Sequence, residues 1–330
     1  MRLRKLNINN ELNLWNEIIN NSPDFHTIAH NPSLIQFLSK TMGWDGDSFF
    51  ILDKGNIIAI YQHSYVTNHK AVSLPHFSYG GIIRKNNSTT KKEIFDGIRN
   101  YLPRFFEIRD FEPYSDHYSD SKIATYLELK LTVDQQLAYF KANHRRKILK
   151  ANNNNLEITI SSNTESIELF YNVYSRNMLR LGSPPLSKDF FLGLLNEYKF
   201  GEIKIFIVKL DDQVVGGAIV VSYNNFMEDC WLSTLNKYNY LNVAIFLYWE
   251  MIKYAIITEN KYFSFGRSTQ NSSLFNFKKR WLPIQKKLYF SYSEQQKTGL
   301  RNMTFLPKIW RYLPLRVANF IGSRISEKLY

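Results

Sequence analysis

Lys278, Arg267 and Asp110 carry the chemistry that is easiest to read from this sequence. Lys278 opens a run with Lys279 and Arg280 just before Trp281, and a cation in such a place can face a developing oxyanion. Arg267 lies between Gly266 and Ser268 at the expected end of a strand. Ligands of mixed α/β sheets collect at such ends, and a planar guanidinium fork suits a phosphate or carboxylate. Asp110 takes the equivalent position earlier in the chain, in Arg109-Asp110-Phe111-Glu112-Pro113, and is the candidate base. A held cation, an anion-binding arginine and a carboxylate suit acyl transfer to an amine or hydroxyl. That reaction needs a proton acceptor and a stabilised oxyanion but no covalent enzyme nucleophile. Each residue also has a plain structural reading: a lysine of a surface charge run, one member of a buried ion pair, and a helix cap or partner of Arg109.

Other chemistries find less support. His26 and His30 are four apart, but their Pro-, Asp- and Asn-rich setting disfavours the helix that would bring them together, so no metal is expected. No phosphate-binding P-loop or GxGxxG pattern is present, which argues against nucleotide hydrolysis and dinucleotide redox chemistry. Cys230 is the single cysteine, so no disulfide can form within the chain, and a strand cysteine of this kind reads as packing.

The elements that must position these residues occur twice. A helical segment at 31–42 leads to a strand at 49–52, a turn at Asp53-Lys54-Gly55-Asn56 and a strand at 57–65. A helical segment at 187–198 leads likewise to strands at 203–210 and 214–223 around Asp211-Asp212-Gln213. Each half continues through a longer connection to a helix (90–101, then 243–257), a strand (104–109, then 262–267) and a closing strand (124–131, then 287–292). Phe50 aligns with Phe206 and Phe106 with Phe263, offsets of 156 and 157 residues. The expected fold is therefore α/β, two tandem mixed-sheet domains, with boundaries at 1–150 and 151–300 and a tail at 301–330.

Between the halves, 134–150 reads as one helix capped by Thr132, with Arg145 and Arg146 on its basic face as candidate substrate contacts. The same face also reads as a solvated end that suits the helix dipole. The tail is basic, bears Trp310 and is interrupted by Pro307 and Pro314. It can lie in a lipid headgroup layer or pack on the first half. The net charge of +13 implies an anionic partner: nucleic acid, a phospholipid surface or a pyrophosphate-bearing substrate. No secretory signal is read at the N-terminus, and the longest apolar stretch, 244–257, carries Glu250 and Lys253 and is too short to span a bilayer. A cytoplasmic protein is expected, in contact with the inner face of the membrane if the tail reaches it.

Three segments resemble FemAB-related proteins, notably the group associated with PEP-CTERM systems: FYNVYSRNMLRLGSPPLSKDFF at 170–191, YFSFGRSTQNSSLFNFKKRW at 262–281 and IWRYLPLRVANFIGSRIS at 309–326. The run YFKANHRRKILKANNNNLEI is similar to that family's basic helix and following strand. Leu282-Pro283 departs from the glycine that relatives carry after the FKK-x-W signature. The resemblance implies two tandem GNAT-like (acyl-CoA N-acyltransferase) domains. It also implies transfer of an amino acid or acyl group to a lipid- or sugar-linked cell-envelope precursor, a peptidoglycan bridge or a surface polysaccharide. It places Lys278 in the most specific motif, gives Asn177, Arg180 and Ser183 an acceptor-side role, and puts Ser268 and Trp281 beside the substrate.

No cofactor is expected to bind tightly; the co-substrate is aminoacyl-tRNA or acyl-CoA. An acyl-CoA site wants a glycine-rich turn before the long helix, and both candidate turns, 84–89 and 236–242, lack glycine. That favours aminoacyl-tRNA, which the basic charge also suits. Asn tolerates left-handed backbone and can replace glycine there, so CoA stays open, as does a non-enzymatic scaffold that binds envelope precursors or lipid.

Overall fold

The computed structural model describes residues 1–294 and 310–327. The part of the tail reading that rests on 301–309 and 328–330 lies outside them. Strand β1 (Arg2–Lys5) and helices α1 (Ile8–Asn21) and α2 (Ser33–Met42) precede the hairpin β2 (Gly46–Asp53) and β3 (Asn56–Thr67). Lys54 and Gly55 both have positive φ, 47° and 86°, the geometry a two-residue hairpin turn demands. Short strands β4 (Lys70–Val72) and β5 (Ile83–Arg84), helix α3 (Lys91–Ile98), β6 (Phe105–Asp110) and β7 (Tyr118–Glu128) complete the first half. Thr90 and Glu93 form a capping box at the start of α3.

Helices α4 (Val133–Tyr139) and α5 (Ala142–Asn152) follow. The single helix expected at 134–150 is thus two, because Phe140 is extended (ψ 152°). Its ring is fully buried against Trp281 and Trp249, and the chain bends there to put it in the core. The second half runs β8 (Leu156–Ser161), α6 (Thr164–Leu181), α7 (Lys188–Glu197), β9 (Glu202–Leu210), β10 (Gln213–Tyr223), β11 (Phe226–Thr234), α8 (Val243–Ile257), β12 (Tyr262–Thr269), α9 (Ser273–Lys278) and β13 (Ile284–Tyr292). The connection expected after β10 contains a strand, β11. Helix α10 (Leu315–Glu327) lies against α6.

Among the described residues the strands form one sheet, in the order β1-β2-β3-β4-β6-β13-β7-β12-β11-β10-β9-β8, with β5 on β3. The pairing is antiparallel except β4 with β6 and β11 with β12. The duplicated mixed-sheet α/β architecture expected from the sequence is present, with one exchange. The closing strand of the second half, β13, pairs with β6 of the first, and the closing strand of the first, β7, pairs with β12 of the second. The two exchanged strands also pair with each other over seven registered positions. The backbone hydrogen bonds at the centre of the sheet therefore hold the halves together.

Apolar residues fall on the sheet faces and the inner stripes of the helices, as burial demands. One cluster joins α1, α2, α6 and α7 over the two hairpins, with Trp15, Phe37, Phe190 and Phe191 at its centre. A second surrounds α8 and contains Trp249, Phe265 and Trp281. Apart from the Glu250–Lys253 ion pair, α8 is apolar on most of its faces, and most of its residues are correspondingly buried.

Candidate functional site

The parallel pairing of β11 with β12 covers only Phe226↔Tyr262, Met227↔Phe263 and Glu228↔Ser264. Beyond Glu228 the two strands part. A register shift at Ile219/Val220, opposite Asp229 and Trp231, bends β11 away from its neighbour. Gly266, at φ +68°, breaks the β12 register where the gap opens. Backbone hydrogen bonds would continue an ordinary ladder there. Here the side chains of both strands border a cavity of about 710 Å³.

The inner wall is polar and charged. Asp229, from β11, is 7% exposed, and burial pushes its carboxyl up to about 7 against the pull of Lys278 and of the Tyr248 hydroxyl, which donates to it. One carboxylate oxygen makes no hydrogen bond among the described residues. Lys278 ends α9 and is 4% exposed. Its ammonium donates to the carbonyl of Phe265 and, at 3.4 Å, to that of Arg267. Burial brings it down to about 8, although the charges of Asp229 and Glu228 oppose the shift. Glu228 is buried beside them, and desolvation raises its pKa. Its carboxylate accepts from the Ser264 hydroxyl at 2.9 Å. A carboxyl raised to about 7 and an ammonium lowered to about 8 in one wall can exchange protons with a bound substrate near neutral pH.

Arg267 lines the same cavity, and its guanidinium also donates to the carbonyls of Phe77 and, at 2.8 Å, Ser78. The first half thus contributes its 74–79 segment to the wall, including His76 and Ser78. At the opposite side lies the first turn of α8. Asn242 precedes it with φ 58°, in the left-handed region, and no side chain caps the helix. Asn242 thus takes the left-handed backbone that the sequence reading allowed an asparagine to supply in place of glycine. Residues Asn242, Val243 and Ala244 line the cavity, so the positive end of a 15-residue helix faces it, with Lys147 and Arg280 also on its border.

Of the residues singled out in the sequence, Lys278, Arg267 and Asn177 meet at this cavity. Asn177 donates to Ser233 at 3.2 Å and accepts from Arg180, which is exposed at the rim. Ser183 lies one residue past the Gly182 helix cap and donates its amide to Met178 at 3.0 Å. Arg145 donates to the carbonyls of Ala138 and Phe140, and Arg146 is exposed on α5, whose cavity residue is Lys147. Ser268 is buried in β12, and Trp281 is fully buried behind the wall, edge-on to His144 at 4.4 Å. Asp110 lies elsewhere. It pairs with buried Lys91 at 2.8 Å and accepts from the Tyr114 hydroxyl at 2.5 Å. Asp229 and Tyr248 were not singled out. The available signal was Glu228-Asp229, two adjacent acids inside an otherwise apolar strand.

Residues 138–279 match the family model for the acetyltransferase (GNAT) domain. No curated protein sequence matches the chain. Among solved structures, the crystal structure of FemX is similar with a TM-score of 0.63 at 12% identity, over 88% of this chain and 97% of that one. A tandem GNAT protein from the clavulanic acid biosynthesis pathway is similar at 0.53 and 8% identity, over 90% and 99% of the two chains. The C-terminal domain described as that of a lysylphosphatidylglycerol synthetase from Agrobacterium fabrum is similar at 0.52 and 10%, over 85% and 92%. The fold is that of the tandem GNAT proteins. Residues 138–279 carry the GNAT domain, and the chain as a whole is similar in fold to the FemX structure.

Proposed function

We propose that the protein is an acyltransferase that moves an aminoacyl group from aminoacyl-tRNA to an amine or hydroxyl of a lipid- or sugar-linked cell-envelope precursor. The observation that carries the reading is the Asp229–Lys278 wall of the cavity between the parted strands. FemAB resemblance in the motifs at 170–191 and 262–281 supports the same reading, as does similarity to a protein titled as a lysylphosphatidylglycerol synthetase.

In this mechanism the acceptor nitrogen or oxygen attacks the ester carbonyl of the donor while the Asp229 carboxylate takes its proton. The carbonyl oxygen becomes an oxyanion, which the Lys278 ammonium stabilises. Collapse of the intermediate breaks the ester C–O bond, and the proton on Asp229 passes to the leaving oxygen of the donor. The new amide or ester bond remains on the acceptor. Tyr248 keeps the Asp229 carboxyl oriented, and Arg267 and the first turn of α8 hold donor phosphate or carboxylate groups.

A second reading, an acyl-CoA donor, is favoured by the uncapped first turn of α8 behind left-handed Asn242, which can take a pyrophosphate without a glycine. Filter binding of the protein to charged tRNA, with CoA thioesters as competitors and salt varied, separates the two. Saturable, salt-sensitive tRNA binding that CoA does not displace supports the proposed donor. CoA binding without specific tRNA binding replaces it with the second. Binding of neither overturns both and leaves a non-enzymatic scaffold.

A further inference from the structure

Helix α10 has two faces of opposite habit. Ala318, Gly322 and Ser326 point inward, and Gly322 lies so close to Pro185 that an added Cβ would stand 2.4 Å from its Cδ. Trp310, just before the helix, is 8% exposed, and Arg311 reaches the carbonyl of Leu181 at 3.5 Å. These contacts fix α10 on the last turns of α6. The outward face carries Val317, Phe320 and Ile321, which are 40%, 63% and 38% exposed, and Tyr312 before the helix is 90% exposed. Arg316 and Arg324 stand exposed among them, with the Arg324 guanidinium 3.7 Å from the Phe320 ring centre. Among the described residues, no element packs over this face.

A soluble helix turns such residues inward; a helix that keeps large apolar side chains outward between arginines has the pattern of one lying in a headgroup layer. Helix α6, on which α10 rests, borders the cavity. Leu181, 45% exposed, belongs to the rim together with Asn177 and Met178, and Arg180 beside it is exposed. The apolar face and the cavity rim are thus on neighbouring helices, with arginines on both.

We propose that the outward face of α10 docks on an anionic lipid bilayer, Phe320 and Ile321 entering the acyl boundary while Arg316 and Arg324 meet lipid phosphates. Docking in this way brings the α6 side of the cavity close to the bilayer, and the acceptor is a lipid-anchored one taken from the membrane surface. The acceptor clause rests on the proposed function; the docking clause does not.

Co-sedimentation of the full chain with phosphatidylglycerol–phosphatidylcholine vesicles, and with phosphatidylcholine vesicles alone, tests it. The expected result is binding to the anionic vesicles only, weakened by salt, and weakened about tenfold or more in Arg316→Glu/Arg324→Glu. Phe320→Ser/Ile321→Ser is expected to bind weakly with a steeper salt dependence, since only the charge contact remains. All these positions are exposed, and an unchanged thermal melt confirms that the variants fold. Absence of vesicle binding, equal binding by the variants, or loss of self-association in place of lipid binding overturns docking. Asp229→Asn, inactive under the proposed function, is expected to bind vesicles as the parent does, so a failed mechanism and a failed docking face give different results.

Discussion

The two halves share a scaffold but treat its centre differently. In each, a short parallel pair stops three residues before the charged side chain: β4 with β6 at Glu107, before Asp110, and β11 with β12 at Ser264, before Arg267. In the first half the chain after β4 folds back along β6. Ser73 and Gly80 bond to the carbonyls of Glu107 and Arg109 at 2.9 and 3.0 Å, and Gly81 leaves no room for a Cβ against Asp110. Lys91, at the start of α3, then neutralises Asp110, with Asp24 and Arg84 beside it. In the second half the strands part instead, α8 opens on apolar Val243 and Ala244, and the charged groups face a cavity. The same topology thus yields a filled, ion-paired centre in one half and, in the other, buried charged groups that border a cavity, with Asp229 raised and Lys278 lowered by desolvation. Charge that is fully paired stabilises; charge left facing a cavity is available for chemistry.

The sharpest test is Asp229→Asn. It is expected to lower the transfer rate by about 10²–10⁴-fold, the range for loss of a general base. It should also raise the melting temperature above neutral pH. The folded-state pKa of Asp229, about 7, lies above the ordinary 3.8, so stability falls as pH rises between those values, and the neutral amide escapes that cost. Unchanged turnover in a transfer assay would remove Asp229 from the mechanism. Lys278→Met is expected to cost about 10²–10³-fold in rate, as for one lost oxyanion contact. A smaller loss in kcat than in binding would make Lys278 a donor contact instead.

Lys91→Met sets the first half against the second. It leaves Asp110 buried without its partner and is expected to destabilise by about 3–5 kcal/mol in a denaturant titration, while the fraction still folded keeps its turnover. Loss of turnover without loss of stability would mean that the first-half centre takes part in the reaction.

With Asp229 needed as carboxylate and Lys278 as ammonium, rate is expected to rise with pH through about 7 and fall through about 8. Tyr248→Phe gives the smallest effect. Losing the hydroxyl that lowers the Asp229 pKa should move the rising limb to higher pH, with the falling limb in place.

The sequence alone determined the duplicated hairpins. Lys54-Gly55 and Asp211-Asp212 are turn residues flanked by β-branched strands, and such signals are local. It also determined that Lys278, Arg267 and Asn177 belong to one motif set, and these three do meet. The helix cap at Thr132 was legible for the same reason, since a cap bonds only to its own first turn. The break at Phe140 was not, because propensity along 134–150 is helical and only the pocket among Trp249, His144 and Trp281 draws the ring inward. Nor was the base. Asp110 and Asp229 are both buried strand acids, and what separates them is a lysine 19 residues away in one case and a parting of strands in the other. The exchange of β7 and β13 was decided by tertiary structure alone, because a strand's alternation fixes which face it buries but not which distant edge it pairs with.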